Sequence, residues 1–188
     1  MIRTKEEYYK YLEVDKIALG KKESKRPKII GDEIWKFQIL LRKCEYYTNC
    51  KSGTINKILF YYHKLRFKKA SIKLGFTIPL NVFGQGLSIA HYGTIVVNEN
   101  AKIGQNCRIH EGVTIGATGG NPKAAKIGDN VFIGSGAKII GDITIGNNTA
   151  IGANAVVVKS YEENNITLVG LPAKKVSNQG SEKLLLIK

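Results

Sequence analysis

Residues 127–157 read IGDNVF IGSGAK IIGDIT IGNNTA IGANAV V. An aliphatic residue opens every sixth position here, and the same phase runs upstream through Ile115, Ile109 and Ile103 to Val97. An α-helix repeats every 3.6 residues and a strand every 2, so neither alone sustains a six-residue phase over this length. A parallel β-helix does. Each short strand supplies one inward aliphatic side chain, a tight turn follows, and three strands close a triangular coil of about 18 residues. Cys107, Val113, Val131, Ala137, Ile143, Thr149 and Ala155 stand two positions ahead of that series, and the two-residue period of a strand places them inside as well. Gly and Asn recur at the corners, where positive φ costs them little.

The phase falters twice. Counting back by six from Val97 gives His91, Gln85 and Pro79, so the first coil, from Leu74 to Val96, carries an imidazole in an inward phase. Local rules fail most often at functional sites. Asn121 also falls where an aliphatic residue is due, so GATGGNPKAAK, residues 116–126, reads as a loop extruded from its coil. It is glycine-rich but lacks the spacing of a phosphate-binding loop and does not open a helix.

The chain divides into a basic helical region over 1–74, the β-helix over 75–176 and a polar tail over 177–188. Residues 5–19 place Tyr8, Tyr11, Leu12, Asp15 and Leu19 on one helical stripe that Gly20 ends. A second helix starts near Asp32, a candidate N-cap, and runs towards Tyr47. A third spans Thr54 to Leu74, with Ile55, Ile58, Leu59, Tyr62, Leu65 and Phe67 as its apolar side, expected to pack on the other helices and the first coil. His63 within it reads as structural.

Charge is unevenly spread. The net charge of +14 resolves into 19 Lys/Arg against 8 Asp/Glu over 1–75, leaving only a small excess downstream. A basic appendage suits an anionic membrane face or an anionic substrate. No recognised nucleic-acid module accompanies it, so no nucleic-acid partner is expected. Three cysteines without metal-ligand spacing, and a first ten residues without a signal peptide's apolar core, point to free thiols and a cytoplasmic location.

Together LSIAHYGTIVVNENAKIGQN, the GATGG loop, the repeats and the closing VGLPAKKV resemble the catalytic domain of bacterial serine O-acetyltransferases and related polysaccharide O-acetyltransferases of the hexapeptide-repeat class. The resemblance covers residues 75–176. It implies a left-handed parallel β-helix, a homotrimer, and acetyl-CoA as co-substrate in the groove between neighbouring prisms. The family's catalytic histidine falls on His91. CoA-contacting backbone falls on Ala117, Ser135 and Ala153, with Thr118 beside the first, and Lys159, Lys174 and Lys175 are candidates for the phosphates.

Neutral imidazole is suited to take a proton from an acceptor hydroxyl near neutral pH. His91 is therefore the expected general base, its imidazolium returning the proton to the leaving thiolate. Backbone N–H groups near Gly116, Ala117 and Thr118 would hold the oxyanion. His110 is the rival base, with Glu111 able to orient an imidazole or bind a sugar hydroxyl; a solvent-facing His–Glu pair is the plainer reading of the two. Cys107, inward and apolar, does not suit a nucleophile. No metal is expected, since a three-histidine zinc site would have to use His63.

Three departures bear on the acceptor. Ala90 stands where serine enzymes carry an aspartate before the histidine, and the loop Pro122–Lys126 holds no histidine. Phe76-Thr77-Ile78-Pro79 also replaces the family's Asp-Ile-His-Pro element. These favour a sugar hydroxyl of a surface polysaccharide pathway, with serine as the alternative acceptor and a non-catalytic β-helical scaffold third.

Overall fold

The computed structural model describes residues 1–186; Ile187 and Lys188, the last two of the predicted tail, lie outside the described residues. Three helices, α1 (Lys5–Ala18), α2 (Glu33–Cys50) and α3 (Thr54–Leu74), precede a three-sided parallel β-helix. One face stacks β1 (Phe76–Thr77), β3 (Ile95–Val97), β6 (Thr114–Gly116), β9 (Lys138–Ile140) and β12 (Val156–Val157). The second stacks β4 (Lys102–Ile103), β7 (Lys126–Ile127) and β10 (Thr144–Ile145). The third runs from β2 (Ser88–Ile89) through β5 (Arg108–Ile109), β8 (Phe132–Ile133) and β11 (Ala150–Ile151) to β13 (Thr167–Gly170), which the antiparallel β14 (Ala173–Ser177) closes.

Register explains both lapses of the sequence phase. Ile127 pairs with Ile145, Ile133 with Ile151 and Ile139 with Val157, each one regular coil apart. The coil that pairs Ile103 with Ile127 and Ile109 with Ile133 is six residues longer, because the 116–126 segment is extruded as expected. Ile89 pairs with Ile109, and this coil is two residues longer than a regular one. The surplus lies in the turn from Ala90 to Thr94. It corrects the reading of His91 as inward: Ile89 and Ile95 fill the prism, and His91 is turned out and exposed. His110 is therefore not one regular coil along from it.

The interior is a column of aliphatic and small side chains. Ile109, Ile115, Ile133, Ile139, Ile151 and Val157 are wholly buried, and so are the second-series residues Val113, Val131, Ala137, Thr149 and Ala155. At one corner Asn106, Asn130 and Asn148 sit at positive φ, and their side-chain amides form a ladder at 2.8 and 2.9 Å. The side chains as well as the paired strands of each coil find partners in its neighbour, which is what stacking repeats achieve.

The first coil has no coil above it, and the helices supply what is missing. Gln38 donates to the Leu87 carbonyl at 2.7 Å and accepts from the Ile89 N–H at 3.3 Å, in place of a strand. Asp15 accepts from the N–H groups of Gly86 and Leu87. Arg42, wholly buried, donates to Asp15, Glu45 and the carbonyls of Phe83 and Gly84. Burial opposes its charge, but Asp15 and Glu45 together hold its pKa above the ordinary value.

Two sequence expectations for the helices are corrected. Asp32 precedes α2 with φ 51° and caps no helix N–H; its carboxylate instead meets Lys21 and the Lys28 N–H. The apolar stripe assigned to α3 faces outward: Ile55, Ile58, Leu59, Tyr62 and Leu65 are exposed. The packed side carries His63, Ser71 and Leu74, with Phe67 stacked on Phe37 at 5.2 Å. Only three or four positions per two turns can face a core, and on α3 these fall on a mixed set that hydropathy does not mark.

Candidate active site

His91 sits at the corner between the β2 and β3 faces, in the turn lengthened by two residues. Gly93 in that turn has φ 127°, and a Cβ there would lie 3.1 Å from the Glu111 Cβ, so the turn depends on glycine twice over. One coil below, His110 and Glu111 follow β5. The His91 and His110 rings lie 5.5 Å apart at 68°, and the far side of His110 meets Phe132 at 5.0 Å. His110 Nδ1 is 4.0 Å from Glu111 Oε2.

His110 is half-buried, and its pKa is lowered by that burial first and then by Arg108, with Glu111 opposing. It is therefore a neutral imidazole near pH 7. The neighbouring Ser135 side chain holds the Glu111 carboxyl below its usual range. Among the described residues, His110 Nε2 and Glu111 Oε2 are buried polar atoms without a hydrogen-bond partner. Such orphans in a native fold call for a ligand, water or substrate. His63 Nδ1 is a third, but His63 lies between Tyr47 and Tyr62 in the helical region, as its structural reading expects.

His91, His110 and Glu111 present donor atoms within 4.8 Å of one another. A tetrahedral zinc with bonds of about 2.0–2.1 Å needs donors roughly 3.3 Å apart. The separation of His110 and Glu111 is wider than that, so the cluster as folded is not closed around an ion. Cys107 points into the prism, and burial pushes its thiol up to about 12. It is no nucleophile.

The remaining sequence candidates divide between two edges of the β3–β6–β9–β12 face. Ser135 and Ala153 stack beneath Glu111 at the histidine corner, through Gly136 N–H to Glu111 carbonyl and Asn154 N–H to Ser135 carbonyl, both 2.8 Å. Ala117 and Thr118 open the extruded loop at the opposite edge, where Lys159 also lies, over the Tyr161 ring. Lys174 and Lys175 belong to β14 at the far end, and Lys175 pairs with Glu163. One chain does not bring these groups together.

Sequence reading missed Arg108. It sits two residues before His110 on the same outward side of β5, and the strand's two-residue period would have marked it. With Ala90 and Tyr92, the chain neighbours of His91, it lines a cavity of 230 Å³ against the start of α2. A larger groove of 720 Å³ runs over the β4–β7–β10 face, away from both histidines. Lys102, Lys126 and Glu162 are among the described residues that line it, and no histidine is.

Residues 124–159 match the family model described as bacterial transferase hexapeptide (six repeats). A crystal structure of the Neisseria gonorrhoeae serine acetyltransferase in complex with serine is 32% identical; the match covers 90% of this chain and 69% of that one, with a TM-score of 0.63. This chain belongs to the hexapeptide-repeat acetyltransferases. A second member of that family, the Brucella abortus serine acetyltransferase in complex with coenzyme A, is 29% identical over 94% of this chain and 70% of its own, with a TM-score of 0.68. The serine acetyltransferase of Staphylococcus xylosus is 44% identical over 63 residues, 32% of this chain. That match spans 29% of the length of this curated relative. The family model matches within the repeat region.

Proposed function

We propose that this hexapeptide-repeat acetyltransferase moves an acetyl group from acetyl-CoA to an alkyl hydroxyl. The observation that carries the reading is the exposed His91 imidazole 5.5 Å from the ring of His110, whose Nε2 is orphaned, on the corner where Ser135 and Ala153 stack. His91 takes the hydroxyl proton as the oxygen attacks the thioester carbonyl. The tetrahedral intermediate then collapses, and the imidazolium protonates the departing CoA thiolate. His110, neutral and wedged against Phe132, orients His91 or the acceptor.

The oxyanion donors at Ala117 and Thr118 lie across a face from His91, so one chain cannot supply both. A homotrimer of left-handed prisms, each setting its loop edge beside a neighbour's histidine corner, completes the site. Residues 75–176 form this catalytic body and residues 1–74 its cap. A cytoplasmic location is part of the same reading.

Serine is the acceptor with the most support, since the relatives on both sides of the comparison are serine acetyltransferases. This moves away from the sugar that the sequence departures favoured. A sugar hydroxyl stays as the second reading on one observation: the position before His91 is Ala90 and supplies no carboxylate for an ammonium group, so that Glu111 is the acid near the imidazole. Thiol release from acetyl-CoA, measured with L-serine and with a panel of sugars, decides between them. His91→Ala should lower turnover at least 100-fold with either acceptor. Full activity in that variant would remove the base and with it the mechanism.

The outward side of α3 fits an anionic membrane surface. Ile58, Leu65 and Ile72 recur every seventh residue and are 65%, 66% and 71% exposed, flanked by Lys57, Lys64, Arg66, Lys68, Lys69 and Lys73. The helix has no acidic residue, so pairing with a second copy would set like charges together, whereas acidic headgroups complement it. Among the described residues no helix is long and apolar enough to cross a membrane. Sedimentation with vesicles containing phosphatidylglycerol should carry the protein down, and phosphatidylcholine alone should not. Replacing Ile58 and Leu65 with Glu should abolish binding; unchanged binding rules out this surface.

A further inference from the structure

Arg42 is wholly buried and Arg108 half-buried, and they are treated in opposite ways. Arg42 is met by two carboxylates. Arg108 has none among the described residues: its one hydrogen bond is from Nη1 to Ser88 Oγ at 2.9 Å, and partial burial alone pulls its pKa down. A guanidinium held in this way lacks the anion that its planar fork is shaped to bind.

The acids nearest to it across the cavity are already engaged. Asp32 meets Lys21 at 2.7 Å, and Glu33 meets Lys36 at 3.5 Å. Arg108 is thus the charge left unbalanced in a 230 Å³ space walled by Trp35, Ile34 and Ile89, with the neighbours of His91 at its rim. That volume lies below the roughly 300–1,000 Å³ of pockets for larger ligands, so it suits an amino acid or a single sugar ring.

We propose that this cavity receives the acceptor and that Arg108 binds a carboxylate on it, placing the reacting hydroxyl towards His91. The proposal rests on the acetyl-transfer reading and narrows its substrate class to small hydroxy acids. Two sources share the chemistry: an amino acid such as serine, or an acidic sugar. Strand β5 fixes the geometry, since His110 directly follows the strand two residues after Arg108 and so shares its outward side, and the Ser88–Arg108 rung holds the fork in place.

Steady-state kinetics on the full chain test it with two matched pairs, L-serine against L-serinamide and D-galacturonate against D-galactose. In the wild type the acid of one pair should show a KM at least tenfold below its neutral partner, and which pair responds identifies the source. Arg108→Met should raise KM for that acid at least 30-fold with kcat little changed, and leave the neutral partner unaffected. Arg108→Lys, which keeps the charge but not the fork, should recover part of the loss. Equal effects on acid and neutral partners, or no effect, overturn the assignment. If none of the four acceptors releases thiol, the transfer reading with these acceptors falls, and calorimetric binding of L-serine and D-galacturonate judges Arg108 separately. Binding heat that disappears in Arg108→Met keeps the site, whereas no heat from either acid, or heat unchanged in the variant, removes it.

Discussion

The prism and the junction above it bury opposite kinds of side chain. Inside the regular coils the buried residues are aliphatic or small, and the polar exception, Thr149, donates to the Gly146 carbonyl within its own turn. At the junction the buried set includes Asp15, Gln38, Arg42 and Glu45. The difference follows from what each region has to satisfy. A coil between two others finds its backbone partners in them, whereas the first coil presents a row of unpaired N–H and C=O groups, the problem of any sheet edge. Charged and amide side chains from the helices take up those groups. Where the repeat stops satisfying itself, chemistry other than packing becomes available, and the His91 turn and the Arg108 cavity both lie in that first coil or directly beneath it.

Removing Arg42 tests the contrast most strongly. Arg42→Ala leaves Asp15 and Glu45 buried without their cation and should destabilise the fold by about 3–5 kcal/mol in urea unfolding. A loss under about 1 kcal/mol would mean that the helices are held by packing alone. Ile133→Ala, in the middle of the prism, should cost about 2–5 kcal/mol by leaving a cavity that the neighbouring coils cannot fill. The same change at the outward Ile58 should stay within about 0.5 kcal/mol. If the two isoleucines cost the same, the described orientation of α3 is wrong.

The smallest effect sharpens the histidine corner. His110 has a folded pKa below its ordinary value, so below about pH 6.5 the unfolded chain binds its proton more readily than the native one. Native stability relative to His110→Asn should therefore rise with pH through the folded pKa towards about 6.5, and be flat above that. The depressed Glu111 carboxyl acts in a separate, more acidic window, with stability lost as pH falls through its folded pKa. A stability difference independent of pH from 5 to 7 would place His110 in water.

The first coil was the least legible part of the chain. Counting by six reached His91 correctly as an anomaly, yet assigned it to the interior, because a two-residue insertion in a turn leaves no mark on hydropathy. The α3 stripe misled for a related reason: periodicity says that a helix has an apolar side, not that the fold uses it. Arg108 carried a readable signal, its two-residue spacing from His110. Its lack of a carboxylate partner is a tertiary fact.

By itself the sequence determined the prism, since a six-residue aliphatic phase with Gly and Asn at the corners has one stable solution, and its strands satisfy one another locally. It also marked the helical spans, through stripes and a stop such as Gly20. Only the tertiary structure decided which side of α3 is buried, that Arg42 is neutralised while Arg108 is not, and that Ala117 and Thr118 lie across a face of the prism from His91. These depend on contacts between residues distant in the chain, and electrostatic pairing, unlike periodicity, is fixed by what folding brings within a few ångströms.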